Sequence, residues 1–148
     1  MARSAEVINI LLVEDDPGDE LLTREAFQDN KIKNALHVAR DGQQGLDFLY
    51  QRGAYHDAPQ PDLILLDLNL PKYDGRQLLE TIKNDSQLSH IPVVVLTTSS
   101  SEEDILRSYK LHANAYVTKP VDIDQFLNAV RQIDDFFLHI VRLPAAVR

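Results

Sequence analysis

The amino-acid sequence predicts an α/β fold, in which five parallel strands form a doubly wound sheet with five helices. Two observations predict it: short apolar runs alternate with longer segments of helical periodicity, and four of the runs end in polar residues. Runs without polar alternation are typical of parallel strands that are covered on both faces. The 148 residues suffice for one core, so we expect a single domain over 1–148, with its core at about 7–141 and a short tail at 142–148.

The strands are predicted at the apolar runs, at about 7–13, 36–39, 62–66, 93–96 and 115–117. Helices are predicted where apolar residues recur every three or four positions, at 17–30, 43–51, 76–84, 101–112 and 122–141. Asp16 directly precedes Pro17, a residue that favours the first helical position, so we predict that Asp16 caps a helix and binds no metal. The polar segment 52–61 is predicted to be a spacer at the opposite end of the sheet from the polar strand ends.

The composition bears on location and on partners. Fifteen basic and 23 acidic residues give a net charge of −8, which disfavours binding to nucleic acid or to an anionic membrane surface. No apolar stretch approaches the length of a membrane span, the first six residues lack the apolar core of a signal peptide, and the chain has no cysteine. We therefore expect a cytoplasmic protein.

Chemically useful side chains stand at the ends of four predicted strands. Glu14 and Asp15 follow the first strand, Asp67 the third, Thr97 the fourth and Lys119 the fifth. Because ligands bind outside the carboxyl ends of the strands in doubly wound sheets, these side chains should meet at one edge. Phosphoryl transfer needs such a set of groups: two acids to bind a divalent cation, an aspartate to accept the phosphoryl group, a hydroxyl and an ammonium. The sequence therefore predicts phosphoryl transfer.

These motifs resemble the receiver domain of the response regulators of two-component signalling, over essentially the whole chain. The matching positions are Glu14-Asp15, Asp67 with Leu70-Pro71 and Asp74-Gly75, Thr97, Tyr116 and Lys119-Pro120. The resemblance implies a flavodoxin-like sheet of strand order 2-1-3-4-5. We expect no output domain, because the tail after Val141 is too short for one. Three further features resemble stand-alone regulators that are paired with phytochrome-like photoreceptor kinases: Leu96-Thr97-Thr98-Ser99, the long second-to-third connection, and the ending Phe136-Phe137 with Leu143-Pro144.

The resemblance implies that Asp67 accepts a phosphoryl group from a sensor histidine kinase with the help of Mg²⁺. Asp15, Asp67 and the backbone carbonyl of Asn69 would bind the ion, and Glu14 would act through a metal-bound water. Glu14 replaces the aspartate that is commoner at its position in the family.

Lys119 and Thr97 are expected to bind oxygens of the phosphoryl group on Asp67. The Lys119–Pro120 peptide bond is predicted to be cis. Such a protein is a signalling phosphoacceptor, and it would catalyse only its own phosphorylation and dephosphorylation.

Phosphorylation is expected to draw Thr97 toward the new group and to let Tyr116 turn inward, although Tyr116 could simply fill the core. This coupling would switch the surface of the fourth helix, the fifth strand and the fifth helix, which a downstream protein of unknown identity reads. Extra apolar and charged residues on the two helices also predict a homodimer. The residues predicted at its interface are Arg107, Lys110, Asp134 and Phe136.

Three alternatives stay open. An aspartate-nucleophile phosphatase needs a second acid two residues after the nucleophile, where this chain has Asn69. A flavodoxin-like cofactor carrier could use the hydroxyl-rich segment 97–101, but the acids after the first strand would repel a phosphate bound there. A degenerate receiver would signal by binding alone, without accepting a phosphoryl group.

Overall fold

The computed structural model describes residues 7–28, 34–68, 70, 75–97, 113–121 and 123–130. Its strands are β1 (Ile8–Val13), β2 (Asn34–Ala39), β3 (Leu63–Asp67), β4 (Val93–Thr97) and β5 (Ala115–Thr118). Its α-helices are α1 (Pro17–Phe27), α2 (Gly42–Leu49), α3 (Gly75–Asn84) and a C-terminal helix (Ile123–Val130). The predicted fourth helix, at 101–112, lies outside the described residues. Among the described helices, none combines the length and the apolar character needed to cross a bilayer.

The five strands form one parallel sheet in the order β2-β1-β3-β4-β5, which confirms the predicted fold. Val13 pairs with Leu66 between the two central strands β1 and β3. Since every pair is parallel, the carboxyl ends of all five strands lie at the same edge of the sheet.

The core consists of two apolar clusters, one on each face of the sheet. Successive strand residues point to opposite faces, and both sets are buried, which explains why the strands are continuous apolar runs. The first cluster contains Leu11, Val13, Ile64, Leu66, Val93 and Val95, together with residues of α2 and α3. The second contains Ile10, Leu12, Leu63, Leu65, Val94 and Leu96, with Phe27 of α1 and Phe126 of the C-terminal helix. The rings of Phe27 and Phe126 meet edge to face, with centroids 4.8 Å apart.

The element ends differ slightly from the predicted bounds. Asp67 and Thr97 are the last residues of β3 and β4 rather than the first residues after them, because the backbone pairing continues beyond the apolar run. At the start of α1, the Asp16 side chain accepts a hydrogen bond of 2.8 Å from the Gly18 N–H, so Asp16 is the helix cap that the sequence predicts.

The segment 52–61 does more than connect α2 to β3. It contains a 3₁₀ helix, Gly53–Tyr55, and the ring of Tyr55 lies 5.5 Å from that of Phe48 in the core. Gln51 has a φ of 57° and donates a side-chain hydrogen bond of 2.6 Å to the carbonyl of Ala58. The apolar side chains within this polar segment therefore extend the core beneath α2.

Candidate functional site

The structure brings the predicted strand-end residues to one edge of the sheet. Glu14 is the residue after Val13 and Asp67 the residue after Leu66, so the pairing of Val13 with Leu66 places the two carboxylates side by side. Glu14 and Asp67 are buried, while Asp15, which follows Glu14 in the chain, is exposed. Buried acids are costly unless they are paired, so this edge requires cations.

Lys119 supplies one positive charge to this edge. Its Nζ lies 3.2 Å from Asp67 Oδ2 and 3.2 Å from Glu14 Oε1, and the Lys119 side chain is only 14% exposed. The same Nζ donates a hydrogen bond of 3.0 Å to Asp19 Oδ2 in α1. The sequence does not predict this contact of Asp19, which locally is simply an acid in the first turn of a helix.

Backbone contacts fix the position of Lys119 at the end of β5. The Lys119 N–H donates a hydrogen bond of 2.8 Å to the carbonyl of Thr97, which ties the end of β5 to the end of β4. The Lys119–Pro120 peptide bond is cis in the structure. Thr97 itself is buried and pairs with Thr118 of β5, so its hydroxyl belongs to the same edge of the sheet.

The close packing of charged side chains at this edge raises the pKa values of both Glu14 and Lys119. Burial, followed by the contact with Asp67 and its negative charge, raises the pKa of Glu14 to about 8, although Lys119 opposes the rise. Burial acts to lower the pKa of Lys119. The hydrogen bond to Asp19 and the charges of Asp67 and Glu14 together outweigh burial and hold that pKa above its ordinary value.

The three acids of the edge fit a divalent cation. Glu14, Asp15 and Asp67 each offer one carboxylate oxygen, and these three oxygens lie within 4.8 Å of one another. Glu14 Oε2 accepts a hydrogen bond of 3.3 Å from the Asp16 N–H, whereas Oε1 is buried and has no aligned hydrogen-bond donor among the described residues. Carboxylate oxygens are the ligands that Mg²⁺ prefers, so three of them at this spacing could bind such an ion. Asn69, the fourth predicted ligand, lies outside the described residues.

Tyr116, predicted to take part in a switch, is partly buried at the side of the first core cluster. Its hydroxyl accepts a hydrogen bond of 3.3 Å from the Ala113 N–H. The residues predicted at a dimer interface, namely Arg107, Lys110, Asp134 and Phe136, lie outside the described residues.

Glu14→Gln is expected to remove a pH dependence of stability from the metal-free protein. With its raised pKa, Glu14 contributes stability that is fully present below the unfolded value of 4.5 and is lost as the pH rises through about 8. Glutamine cannot ionise, so between about pH 5 and about pH 9 the wild type should lose on the order of 4 kcal/mol more unfolding free energy than the variant. Urea denaturation in EDTA at both pH values measures the loss, and equal losses would contradict the prediction.

Comparison with known proteins shows the family to which this chain belongs. The family described as response regulator receiver domain matches residues 10–131. Response regulator Rcp1 of Synechocystis sp. (strain ATCC 27184 / PCC 6803 / Kazusa) is 48% identical over 137 residues, which are 93% of each chain. The Mn²⁺-bound structure of Rcp1 superimposes with a TM-score of 0.70 at 46% identity, covering 89% of this chain and 95% of that one.

Two other solved structures are similar. The bacteriophytochrome response regulator AtBRR gives a TM-score of 0.83 at 47% identity, covering 87% of this chain and 94% of that one. The phosphorylated cyanobacterial phytochrome response regulator RcpA gives a TM-score of 0.72 at 46% identity, covering 90% of this chain and 96% of that one. The family match spans most of the sequence, and the strand order of the sheet agrees with it. The chain therefore belongs to the family of response regulator receiver domains, and it is related to the phytochrome response regulators.

Proposed function

We propose that this receiver domain accepts a phosphoryl group on Asp67 from a sensor histidine kinase and passes the signal on by binding another protein. One observation carries the proposal: the buried Asp67 carboxylate lies 3.2 Å from the Lys119 ammonium, within a group of three carboxylates suited to a divalent cation. A nucleophile, a fixed positive charge and a metal site in such proximity are the parts that phosphoryl transfer requires.

The reaction exchanges one bond to phosphorus for another. An oxygen of the Asp67 carboxylate attacks the phosphorus of a phosphohistidine, a phosphorus–oxygen bond forms, and the phosphorus–nitrogen bond breaks. The electron pair of the broken bond stays on the departing imidazole nitrogen, which takes up a proton from solvent, so that the donor is left as a neutral histidine. Asp67 then carries an acyl phosphate, which water can later hydrolyse to restore the carboxylate.

Charge repulsion between the phosphoryl oxygens and the acids is the main obstacle to this step. Mg²⁺ held by Asp15, Asp67 and the Asn69 carbonyl, with Glu14 acting through a metal-bound water, would neutralise the charge on the phosphoryl oxygens. Lys119 pairs with another of these oxygens, since its ammonium already lies beside the attacking carboxylate.

Thr97 and Tyr116 would couple phosphorylation of Asp67 to a change in the surface of the protein. The Thr97 hydroxyl donates a hydrogen bond to the phosphoryl group, and Tyr116 moves into the space that Thr97 vacates. Tyr116 stands in β5, next to the strand end that carries Lys119, which supports the coupling. The movement alters the surface formed by the predicted fourth helix, β5 and the predicted fifth helix.

Receiver domains of this family are signalling proteins and not conventional enzymes. A phytochrome-like kinase is the proposed phosphodonor, because two of the similar solved structures are named as bacteriophytochrome and phytochrome response regulators. We place the protein in the cytoplasm and propose that it forms a homodimer through the two segments predicted to be helical that contain Lys110 and Phe136. The downstream partner is a separate protein.

Incubation with Mg²⁺ and acetyl phosphate tests the proposed chemistry without knowledge of the kinase. We expect the intact mass to rise by one phosphoryl group, about 80 Da, and the gain to disappear with hydroxylamine, which cleaves acyl phosphates. EDTA should prevent the gain, because the carboxylates then lack a counter-ion. A folded protein that gains no mass would instead be a degenerate receiver that acts by binding alone, and continuous release of inorganic phosphate without a labelled protein would favour the phosphatase.

A further inference from the structure

We propose that Asp19 is a positioning residue for Lys119, which keeps the ammonium at the acceptor site when the other carboxylates are engaged elsewhere. The inference rests on the proposed function, since it concerns how Lys119 meets the phosphoryl group on Asp67. It adds a residue of α1 to a site that is otherwise built from the ends of the strands.

The contact itself is specific. Lys119 Nζ reaches three carboxylates, and the hydrogen bond to Asp19 Oδ2, at 3.0 Å, is shorter than the contacts of 3.2 Å with Glu14 and Asp67. Both side chains are sheltered, with 14% of Lys119 and 31% of Asp19 exposed, so the pair is less weakened by solvent than an ordinary surface ion pair.

A simpler role for Asp19 would be to complete the cap of α1. Asp16 is the N-cap and Asp19 the third helical residue, which is the spacing at which an acid can accept a hydrogen bond from the backbone of the cap. In the structure the Asp16 N–H donates to Glu14 Oε2 instead, at 3.3 Å. The Asp19 carboxylate is thus directed to Lys119, while the Asp19 backbone carbonyl accepts a hydrogen bond from the Thr23 hydroxyl.

The three carboxylates that contact Lys119 differ in the other roles proposed for them. Glu14 and Asp67 belong to the acidic group that could hold a metal ion, and Asp67 is also the proposed acceptor. Asp19 lies outside that acidic group. Its carboxylate is therefore the partner that can keep hold of the ammonium throughout the reaction, so that the other N–H donors of Lys119 face the incoming phosphoryl oxygens.

The test is the rate of phosphorylation by acetyl phosphate at saturating Mg²⁺, measured against phosphodonor concentration. We expect Asp19→Ala to lower the maximal rate by about tenfold. Asp19→Asn, which keeps the size and an acceptor oxygen but loses the charge, should give an intermediate rate and serves as the second variant if alanine impairs folding. The matched control is Glu25→Ala, which removes an exposed acid from the same helix and should react like the wild type.

A double-mutant cycle separates positioning from a general effect on α1. If Asp19 acts through Lys119, then Asp19→Ala should have no further effect on the rate in a Lys119→Met background. Equal rates for Asp19→Ala and the wild type, or full additivity in the Lys119→Met background, would overturn the inference and leave the proposed function intact. A wild type that accepts no phosphoryl group would overturn both.

Discussion

Asp67→Asn should abolish the gain of a phosphoryl group from acetyl phosphate. An amide oxygen carries no full negative charge and is a poor nucleophile, and Asp67 ends β3, the central strand of the sheet. The substitution conserves shape, so the new amide should still fit between Glu14 and Lys119, and the variant should remain folded. Intact-mass spectrometry after incubation with Mg²⁺ measures the result directly.

Asp62→Asn is the matched control for this experiment. Asp62 precedes the same strand, is exposed, and accepts a hydrogen bond of 2.9 Å from the Asn9 N–H, far from the carboxyl edge. The control variant should therefore incorporate phosphate as the wild type does. A hydroxylamine-sensitive gain of mass in Asp67→Asn would mean that a different carboxylate is the acceptor.

Gly75→Ala should be among the most destabilising single-methyl changes in the protein. A Cβ at this first residue of α3 would lie 2.5 Å from the carbonyl oxygen of Asp67 and 2.5 Å from the Cα of Leu68, and both are backbone atoms that cannot rotate away. We expect the free energy of unfolding to fall by ~2–4 kcal/mol. Urea denaturation provides the measurement, with a lower midpoint at an unchanged slope.

Gly45→Ala provides the comparison. A Cβ on Gly45, within α2, would meet the end of the Leu78 side chain at 3.3 Å, and that methyl group can move by a few tenths of an ångström. Alanine also favours a helix interior over glycine by up to about 1 kcal/mol, so the net change should be small. Because Gly75→Ala displaces the backbone that carries Asp67, it should also slow phosphorylation, which Gly45→Ala should not. Equal stability of the two variants would contradict the steric explanation.

The fold can be predicted from the sequence because both faces of the sheet are covered. Burial on two faces produces apolar runs such as Leu63–Asp67 with its single terminal acid, and the alternation with helices leaves few topologies. The same regularity locates most of the site, since polar residues at the ends of buried strands have few roles other than chemistry. Backbone pairing past the last apolar residue explains why Asp67 and Thr97 belong to their strands.

The contact between Asp19 and Lys119 could not be predicted from the sequence. The position of Asp19 in the first turn of α1 already has a local explanation, and its partner Lys119 is 100 residues away along the chain. Nothing in the spacing of either residue signals the contact. Only the crossing of α1 over the sheet, which depends on side-chain packing such as that of Phe27 on Phe126, brings the two side chains together.

The order in which the strands enter the sheet has a consequence for synthesis of the chain. Among the described strands β5 pairs only with β4, and it brings Lys119, the last of the strand-end residues to leave the ribosome. A nascent chain that has formed only β1 to β4 holds the clustered acids of the sheet edge without Lys119. If the proposed function holds, the site that receives the phosphoryl group is therefore complete only when β5 has joined the sheet.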